Sequence, residues 1–87
     1  MDRFEETVKV KVSADSATRV RDTFKAVYEA LEVKGYNPVN QIVAYIMSGD
    51  PTYITNHNNA RSLIMKVERD EVVEEILKAY IKNEDWM

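Results

Sequence analysis

The chain has 87 residues, of which 45% are hydrophobic and 31% are charged, a balance that fits one globular domain over residues 1–87 and excludes wholesale disorder. Because no cysteine is present, disulfides, thiolate nucleophiles and cysteine-based metal sites are excluded, and we expect neither a metal nor a cofactor. The net charge of −3 argues against nucleic acid as a partner, since surfaces that bind nucleic acid carry a basic surplus that replaces released counterions.

Residues 1–12 are predicted to form a mobile segment or a short β-strand. From residue 7 to residue 12 the chain alternates strictly between polar residues and valines, which is typical of a half-buried strand. The valines are Val8, Val10 and Val12. A lone strand exposes unpaired backbone groups, and the other β-like run, from Thr52 to Thr55, is short. The strand therefore pairs with that run, pairs with its copy in a second subunit, or stays loosely ordered.

The first six residues, Met1 to Glu6, contain no apolar core of the kind found in a signal peptide. No apolar run elsewhere approaches the roughly 20 residues that cross a bilayer. We therefore expect a cytoplasmic protein that does not insert into a membrane.

The next element is predicted to be an amphipathic helix that ends at Gly35. Candidate N-caps cluster at residues 13–16, and apolar residues then recur at the spacing of one helix face. These apolar residues are Val20, Phe24, Val27 and Leu31.

Two Asx-Pro steps, Asn37-Pro38 and Asp50-Pro51, each predict the beginning of a helix. Asn and Asp favour the N-cap position, and Pro suits the first helical residue because no backbone donor is needed there. Gly35 and Gly49 stand where the preceding helices need a left-handed residue. The chain from Val39 to Ser48 is therefore predicted to be a short helix bounded on both sides.

That short helix is apolar over most of its circumference, with Asn40, Gln41 and Ser48 as its polar positions. A chain of this size buries only roughly 60 to 65% of its unfolded surface, so a helix without a polar face is hard to cover within one subunit. We therefore expect a homodimer. Its interface is predicted to come from this helix and the C-terminal helix, at Val39, Ile42, Val43, Ile46, Met47, Val73 and Leu77.

Two further apolar stripes follow a polar loop at residues 55–59. The first contains Ala60, Leu63, Ile64 and Val67, and the second contains Val72, Val73, Ile76, Leu77 and Tyr80. At 100° per residue the stripes point about half a turn apart, so one straight helix cannot aim both at a single core. A break is predicted near Arg69 with Asp70 as the N-cap, or else a continuous helix whose two faces serve different partners. The expected fold is mainly α, a compact dimeric bundle of about four helices with a short N-terminal β-strand.

The residue types that usually carry catalysis form no recognisable site. His57 is the sole histidine, and among its asparagine neighbours it is interpreted as a solvated loop residue. The acidic residues between 68 and 75 recur at helical spacing, which is more typical of a solvated helix face than of paired catalytic carboxylates. We therefore predict that the protein is not an enzyme and that it has no catalytic residues.

Two other functions remain open. A small nucleic-acid-binding module is the first alternative, because tight glycine turns between helices resemble helix-turn-helix spacing and Asn58, Asn59 and Arg61 could read base edges. A small-molecule sensor pocket is the second, although core packing is the preferred interpretation of its candidate residues. Those candidates are Tyr36, Tyr45, Tyr53, Tyr80, Met47 and Met65.

Four stretches carry a resemblance to a known family. Residues 34–45 read KGYNPVNQIVAY, residues 48–53 read SGDPTY, residues 58–61 read NNAR and residues 68–75 read ERDEVVEE. Together with the Glu6-Thr7-Val8 approach to the strand, these stretches are distributed from residue 6 to residue 75 and so extend across most of the chain. In this order they resemble the IreB family of bacterial regulatory phosphoproteins.

The resemblance implies a small cytoplasmic dimer that is phosphorylated by a membrane-anchored Ser/Thr kinase with extracellular PASTA repeats and dephosphorylated by the paired phosphatase. It also implies an unknown downstream protein partner and a role in the cell-envelope stress response and in antibiotic tolerance, including tolerance of cephalosporins. The phosphoacceptor threonines of the family lie near the N-terminus. Thr7 matches one of them, whereas Phe4 occupies the position of the second.

Overall fold

A computed structural model describes residues 14–86 of the chain, which form four α-helices. The helices are α1 (Ala14–Val33), α2 (Pro38–Ser48), α3 (Ala60–Met65) and α4 (Arg69–Asn83), and single 3₁₀ turns lie at Pro51–Tyr53 and His57–Asn59. The predicted mainly helical fold with four helices is confirmed. No strand occurs between residues 14 and 86, and the strand predicted at residues 7–12 lies outside the described residues.

The hydrophobic core forms around α1, which packs against the other three helices. Its fully or nearly fully buried apolar side chains come from every helix and from the loop before α3. They are Val20, Val27, Ala30, Leu31, Ile42, Tyr45, Ile54, Ala60, Ile64, Val67 and Val72. The predicted stripe of α1 and most of the predicted stripe of α3 therefore face this core, with Phe24 partly buried at its edge.

Both ends of α2 follow the predicted capping. The side chain of Asn37 accepts a hydrogen bond from the backbone N–H of Asn40 at 3.1 Å, and Pro38 is the first helical residue. Gly49 adopts a left-handed φ of 75°, and its N–H donates to the carbonyl of Tyr45 at 2.7 Å, which is the single-bond form of a left-handed C-cap. The N–H of Tyr36 likewise donates to the carbonyl of Leu31, so the end of α1 has the double-bonded Schellman form.

The second Asx-Pro step begins only one 3₁₀ turn, so the prediction of a helix there was wrong. Asp50 caps this turn, but Ile54 directly after it is extended, with φ of −106° and ψ of 125°, and is fully buried. Burial of the Ile54 side chain in the core requires the chain to leave the helical path at this residue. Thr52 and Tyr53 belong to this 3₁₀ turn, so the β-like run from Thr52 to Thr55 is not a strand.

The predicted break before α4 is confirmed, because α3 ends at Met65 and α4 begins at Arg69. The N-cap of α4 is Glu68, however, and the prediction of Asp70 was wrong. The carboxylate of Glu71 accepts a hydrogen bond from the backbone N–H of Glu68 at 3.0 Å. This is the reciprocal contact of a capping box, in which the third helical residue satisfies the N–H of the cap.

Candidate functional site

An apolar groove of about 670 Å³ lies between α2 and α4 and is also lined by α1. We refer to this feature as the groove. Its apolar lining residues are Ala17, Val20 and Phe24 of α1, Val39, Ile42, Val43 and Ile46 of α2, and Val72, Ile76 and Ala79 of α4. Its volume lies within the roughly 300 to 1,000 Å³ of typical binding pockets, and it is partly open to solvent rather than enclosed.

The α1 residues of the groove were not predicted from the sequence, which assigned Phe24 to the core. Their spacing could have identified them. Ala17, Val20, Arg21 and Phe24 follow the i, i+3, i+4, i+7 pattern of one helix face. Hydrophobic periodicity identifies such a face, yet it does not tell whether another helix covers it.

Charged side chains form one rim of the groove. The Glu75 carboxylate lies 3.4 Å from Nε of Arg21 and 3.7 Å from Nζ of Lys78. Lys78 also contacts Glu74 at 3.0 Å, and this hydrogen bond, with the charge of Glu75 adding to it, raises the pKa of Lys78 above its ordinary value. Because the Arg21 side chain is mostly exposed, its ion pair is expected to contribute little to stability.

The residues predicted for the dimer interface fall into three groups. Val39, Val43, Met47 and Leu77 are exposed, with 67% of Val39 and 79% of Met47 accessible to solvent. Ile46 and Val73 are half-buried. Ile42 lies in the core of its own chain and has little surface left for a partner.

The exposed large apolar side chains of α2 and α4 together form what we call the open face. They are Val39, Val43 and Met47 on α2, and Ile76, Leu77 and Tyr80 on α4. At the end of the open face Arg69 joins the two helices, since its Nη1 donates to the carbonyl of Ile46 at 2.8 Å. Single exposed apolar residues are ordinary, but a cluster on adjacent helices is typical of an interaction surface.

The tyrosines predicted as a possible sensor pocket do not converge. Tyr45 is buried in the core, Tyr36 and Tyr53 are exposed on separate turns, and none of them lines the groove. Tyr80 instead makes an edge-to-face contact with Trp86, with ring centroids 5.9 Å apart. These side chains therefore do not define a common site.

The polar loop before α3 is used for structure. Asn58 and Asn59 adopt left-handed φ angles of 53° and 62°. Arg61 is partly buried, and its Nε donates to the carbonyl of Ile54 at 2.9 Å. The Arg61 guanidinium, which was predicted as a possible group for reading base edges, thus hydrogen-bonds the backbone of the buried residue Ile54. His57 lies partly buried in this turn, with its backbone N–H 3.3 Å from Oγ1 of Thr55.

Over the described part of the chain, no three or more His, Asp or Glu side chains gather in a way that could hold a metal ion. Within residues 14–86, no helix is both long enough and apolar enough to cross a membrane. The predicted phosphoacceptor Thr7 lies outside the described residues. The described residues form a small helical domain with a partly open, mostly apolar groove.

The chain belongs to the family described as the IreB regulatory phosphoproteins, whose family model matches residues 5–82. A curated relative called UPF0297 protein, from Lachnoclostridium phytofermentans, is 60% identical over 83 residues, which cover 95% of this chain and 94% of the relative. The resemblance seen in the sequence motifs is thereby confirmed, and the family is one of regulatory phosphoproteins.

Proposed function

We propose that this chain is a non-enzymatic cytoplasmic regulator whose state is set by a phosphate on Thr7. The observation that carries the proposal is the extent of the family match, which begins at residue 5 and so includes Thr7. By resemblance to the family, a PASTA-type Ser/Thr kinase would add the phosphate and its paired phosphatase would remove it. The output would be the response to cell-envelope stress and tolerance of antibiotics such as cephalosporins, through a downstream protein.

The residues around Thr7 supply the local chemistry for a switch. A phosphate adds about −1.5 to −2 charges and three strong acceptor oxygens. Glu5 and Glu6 would repel it, whereas Lys9, Lys11, Arg19 and Arg21 could bind it. Binding by the basic residues would clamp the segment, but because Glu6 adjoins Thr7 and Glu5 precedes Glu6, we expect repulsion to release this segment from its contacts. The downstream protein would then bind the released phosphosegment or the surface that it uncovers.

The second part of the proposal is that the protein acts as a homodimer through the open face. Two adjacent helices present apolar side chains there, and a twofold axis would make the same patch complementary to itself. Four of the residues predicted for the interface are among the exposed ones. This support comes from surface chemistry and does not depend on Thr7.

The phosphorylation site is tested by treating the purified protein with its cognate kinase and mapping the phosphate by mass spectrometry. We expect one phosphate on the wild-type chain, and none on Thr7→Ala. Thr18→Ala is the matched control, because Thr18 is an exposed threonine on α1 and its loss should change nothing. Phe4→Thr is expected to gain a second phosphate. A Thr7→Ala variant that accepts as much phosphate as the wild type would contradict the proposal.

The dimer is tested by light scattering at tens of micromolar. We expect a mass about twice the 10.1 kDa of one chain, and a shift toward one chain in Leu77→Asp, which places a charge on the open face. Met65→Asp is the control, because Met65 is similarly exposed but lies on α3, outside the open face. A single-chain mass for the wild type under these conditions would exclude the proposed dimer.

A further inference from the structure

We propose that the N-terminal segment of the same chain, residues 8–12, docks in the groove along its α1–α4 side. The valines of the segment would lie over Ala17, Phe24, Ile76 and Ala79, which line that side. Docking of the unmodified segment does not depend on phosphorylation. Only the regulation of docking by a phosphate on Thr7 rests on the proposed function. The rest of the open face, with Val43, Met47 and Leu77, stays free for a second copy.

The length of the segment and the place where it joins the helix make this occupant reachable. The segment connects through Ser13 to the first residue of α1, Ala14. From Ala14 to Phe24 the helix rises about 15 Å, at about 1.5 Å per residue. Five extended residues span roughly 16 Å, at about 3.3 Å per residue. A chain that reverses at Ser13 can therefore cover the α1 side of the groove with residues 8–12.

The side-chain pattern of the segment provides an apolar edge that could cover the exposed apolar lining of the groove. Strict alternation in an extended chain directs Val8, Val10 and Val12 to one side and the lysines between them to the other. Valines facing the groove would remove apolar surface of both partners from water, and Lys9 and Lys11 would stay solvated. An extended segment with one apolar edge thus fits a groove whose lining is mostly apolar and which is partly open to solvent.

The tether favours this segment over a free peptide of similar chemistry. A short linker keeps a tethered segment at an effective concentration in the millimolar range at its binding site. A separate partner at micromolar concentration would have to bind about a thousandfold more tightly to occupy the same surface to the same extent. The segment is therefore the first occupant that any other ligand of this part of the groove must displace.

A phosphate on Thr7 would act at the edge of this contact. Thr7 directly precedes Val8, and in a docked extended segment the alternation places it on the outer side with Lys9 and Lys11. A phosphate there would add about −1.5 to −2 charges beside Glu5 and Glu6, and the repulsion would oppose the docked conformation. Phosphorylation would thus favour the undocked state and uncover the α1–α4 side of the groove.

Disulfide trapping tests the docking, because the natural chain contains no cysteine and every introduced pair is unique. The test pair is Val10→Cys with Ala79→Cys, and the control pair is Val10→Cys with Met65→Cys, at an exposed position outside the groove. A disulfide needs the two Cα atoms within about 4.4 to 6.8 Å. We expect the test pair to close within one chain at least tenfold faster than the control. Equal rates, or disulfides formed only between chains, would overturn the proposal.

A second measurement covers the case in which Ala79→Cys disturbs α4. A nitroxide on Val10→Cys alone should broaden the NMR signals of Phe24 and Ile76 more strongly than those of Met65. Uniform broadening across these residues would count against docking in the groove.

Phosphorylation of the test pair separates the two levels of the proposal. We expect phosphate on Thr7 to slow the intrachain disulfide about tenfold. An unchanged rate with Thr7 fully phosphorylated would overturn the release step and leave the docking in place. If the kinase does not modify Thr7, the proposed function fails, while the disulfide comparison of unmodified chains still decides the docking.

Discussion

Helices α1 and α2 show opposite relations between composition and burial. α1 carries many charged residues, yet Val20, Val27 and Leu31 are almost completely buried. α2 is nearly all apolar, yet Val39 and Met47 are among the most exposed large apolar side chains described. The difference arises because α1 packs against all three other helices, whereas the main contacts of α2 are with α1 and the turn at Pro51–Tyr53.

The comparison teaches that burial is decided by what covers a helix and not by how apolar the helix is. The interior between α1 and α3 is closed, since Leu31, Ile54 and Ile64 have no more than 1% of their surface accessible. The open face between α2 and α4 has the same kinds of side chain without a covering layer. An apolar surface that its own helices leave exposed is typical of a surface that binds another segment or subunit.

The largest expected effect compares one substitution in the two regions. Leu31→Ala should lower the free energy of unfolding by about 2–5 kcal/mol, because it leaves a cavity in a fully buried site. Leu77→Ala should change the stability of a dilute sample by no more than about 0.5 kcal/mol, because the side chain is exposed. Urea denaturation of both variants at low protein concentration measures the difference.

Raising the protein concentration sharpens the same comparison. If the open face forms the dimer interface, the cost of Leu77→Ala should grow with concentration, because association stabilises the folded chain by mass action. The cost of Leu31→Ala should change much less. Equal costs for the two variants in dilute solution would contradict the division into a closed interior and an open face.

A smaller effect is expected at the glycines that end α1 and α2. Gly35 and Gly49 both have left-handed φ, at 84° and 75°, so alanine at either should cost about 1–2 kcal/mol. A Cβ at Gly35 would have open space around it, whereas one at Gly49 would lie 2.9 Å from Cζ of Arg69. Gly49→Ala should therefore cost more than Gly35→Ala, by the amount needed to displace the guanidinium.

Arg69→Ala in the background of Gly49→Ala checks the cause of that difference. Arg69 links the end of α2 to the start of α4 through its bond to the carbonyl of Ile46. Without the guanidinium, the two glycine substitutions should cost the same amount. Thermal unfolding of Gly35→Ala, Gly49→Ala, Arg69→Ala and the double variant Gly49→Ala with Arg69→Ala tests this. If Gly49→Ala still costs more than Gly35→Ala when Arg69 is absent, the contact with Arg69 is not the cause of the extra cost.

Much of the fold could be predicted from the sequence, because local rules decide it. The Asn37 cap and the Gly49 end depend on residues within one turn of each other, and the break between α3 and α4 follows from the offset between two neighbouring apolar stripes. The helix predicted at Pro51 failed because burial of Ile54 in the core overrides the local signal. That contact involves α3, which a local pattern does not include.

The candidate site was predictable only in part. The apolar character of Val39, Val43 and Leu77 is visible in the sequence, and so is its excess over what a small core needs. The sequence did not show that Ile42 would be buried while its neighbours on α2 stay exposed, nor that Phe24 would line a groove. Both depend on the positions of α1 and α4 relative to α2, which are set by tertiary packing.

The smallest expected effect is a pH dependence at the turn where the chain leaves α2 for the core. Hydrogen bonds from the hydroxyl and the backbone N–H of Thr52 lower the pKa of Asp50 below 3.8. Because the folded-state pKa is lowered, the contribution of Asp50 is fully present above about pH 4 and is lost as the pH falls through the folded-state value. The difference in Tm between the wild type and Asp50→Ala should therefore shrink as the pH falls from 5 to 2.5. Thr18→Ala is the control, because Thr18 is exposed and has no titratable group, so its loss should not change the acid side of the profile. A wild-type Tm that exceeds that of Asp50→Ala by the same amount at both pH values would show that the carboxylate charge at this turn contributes nothing.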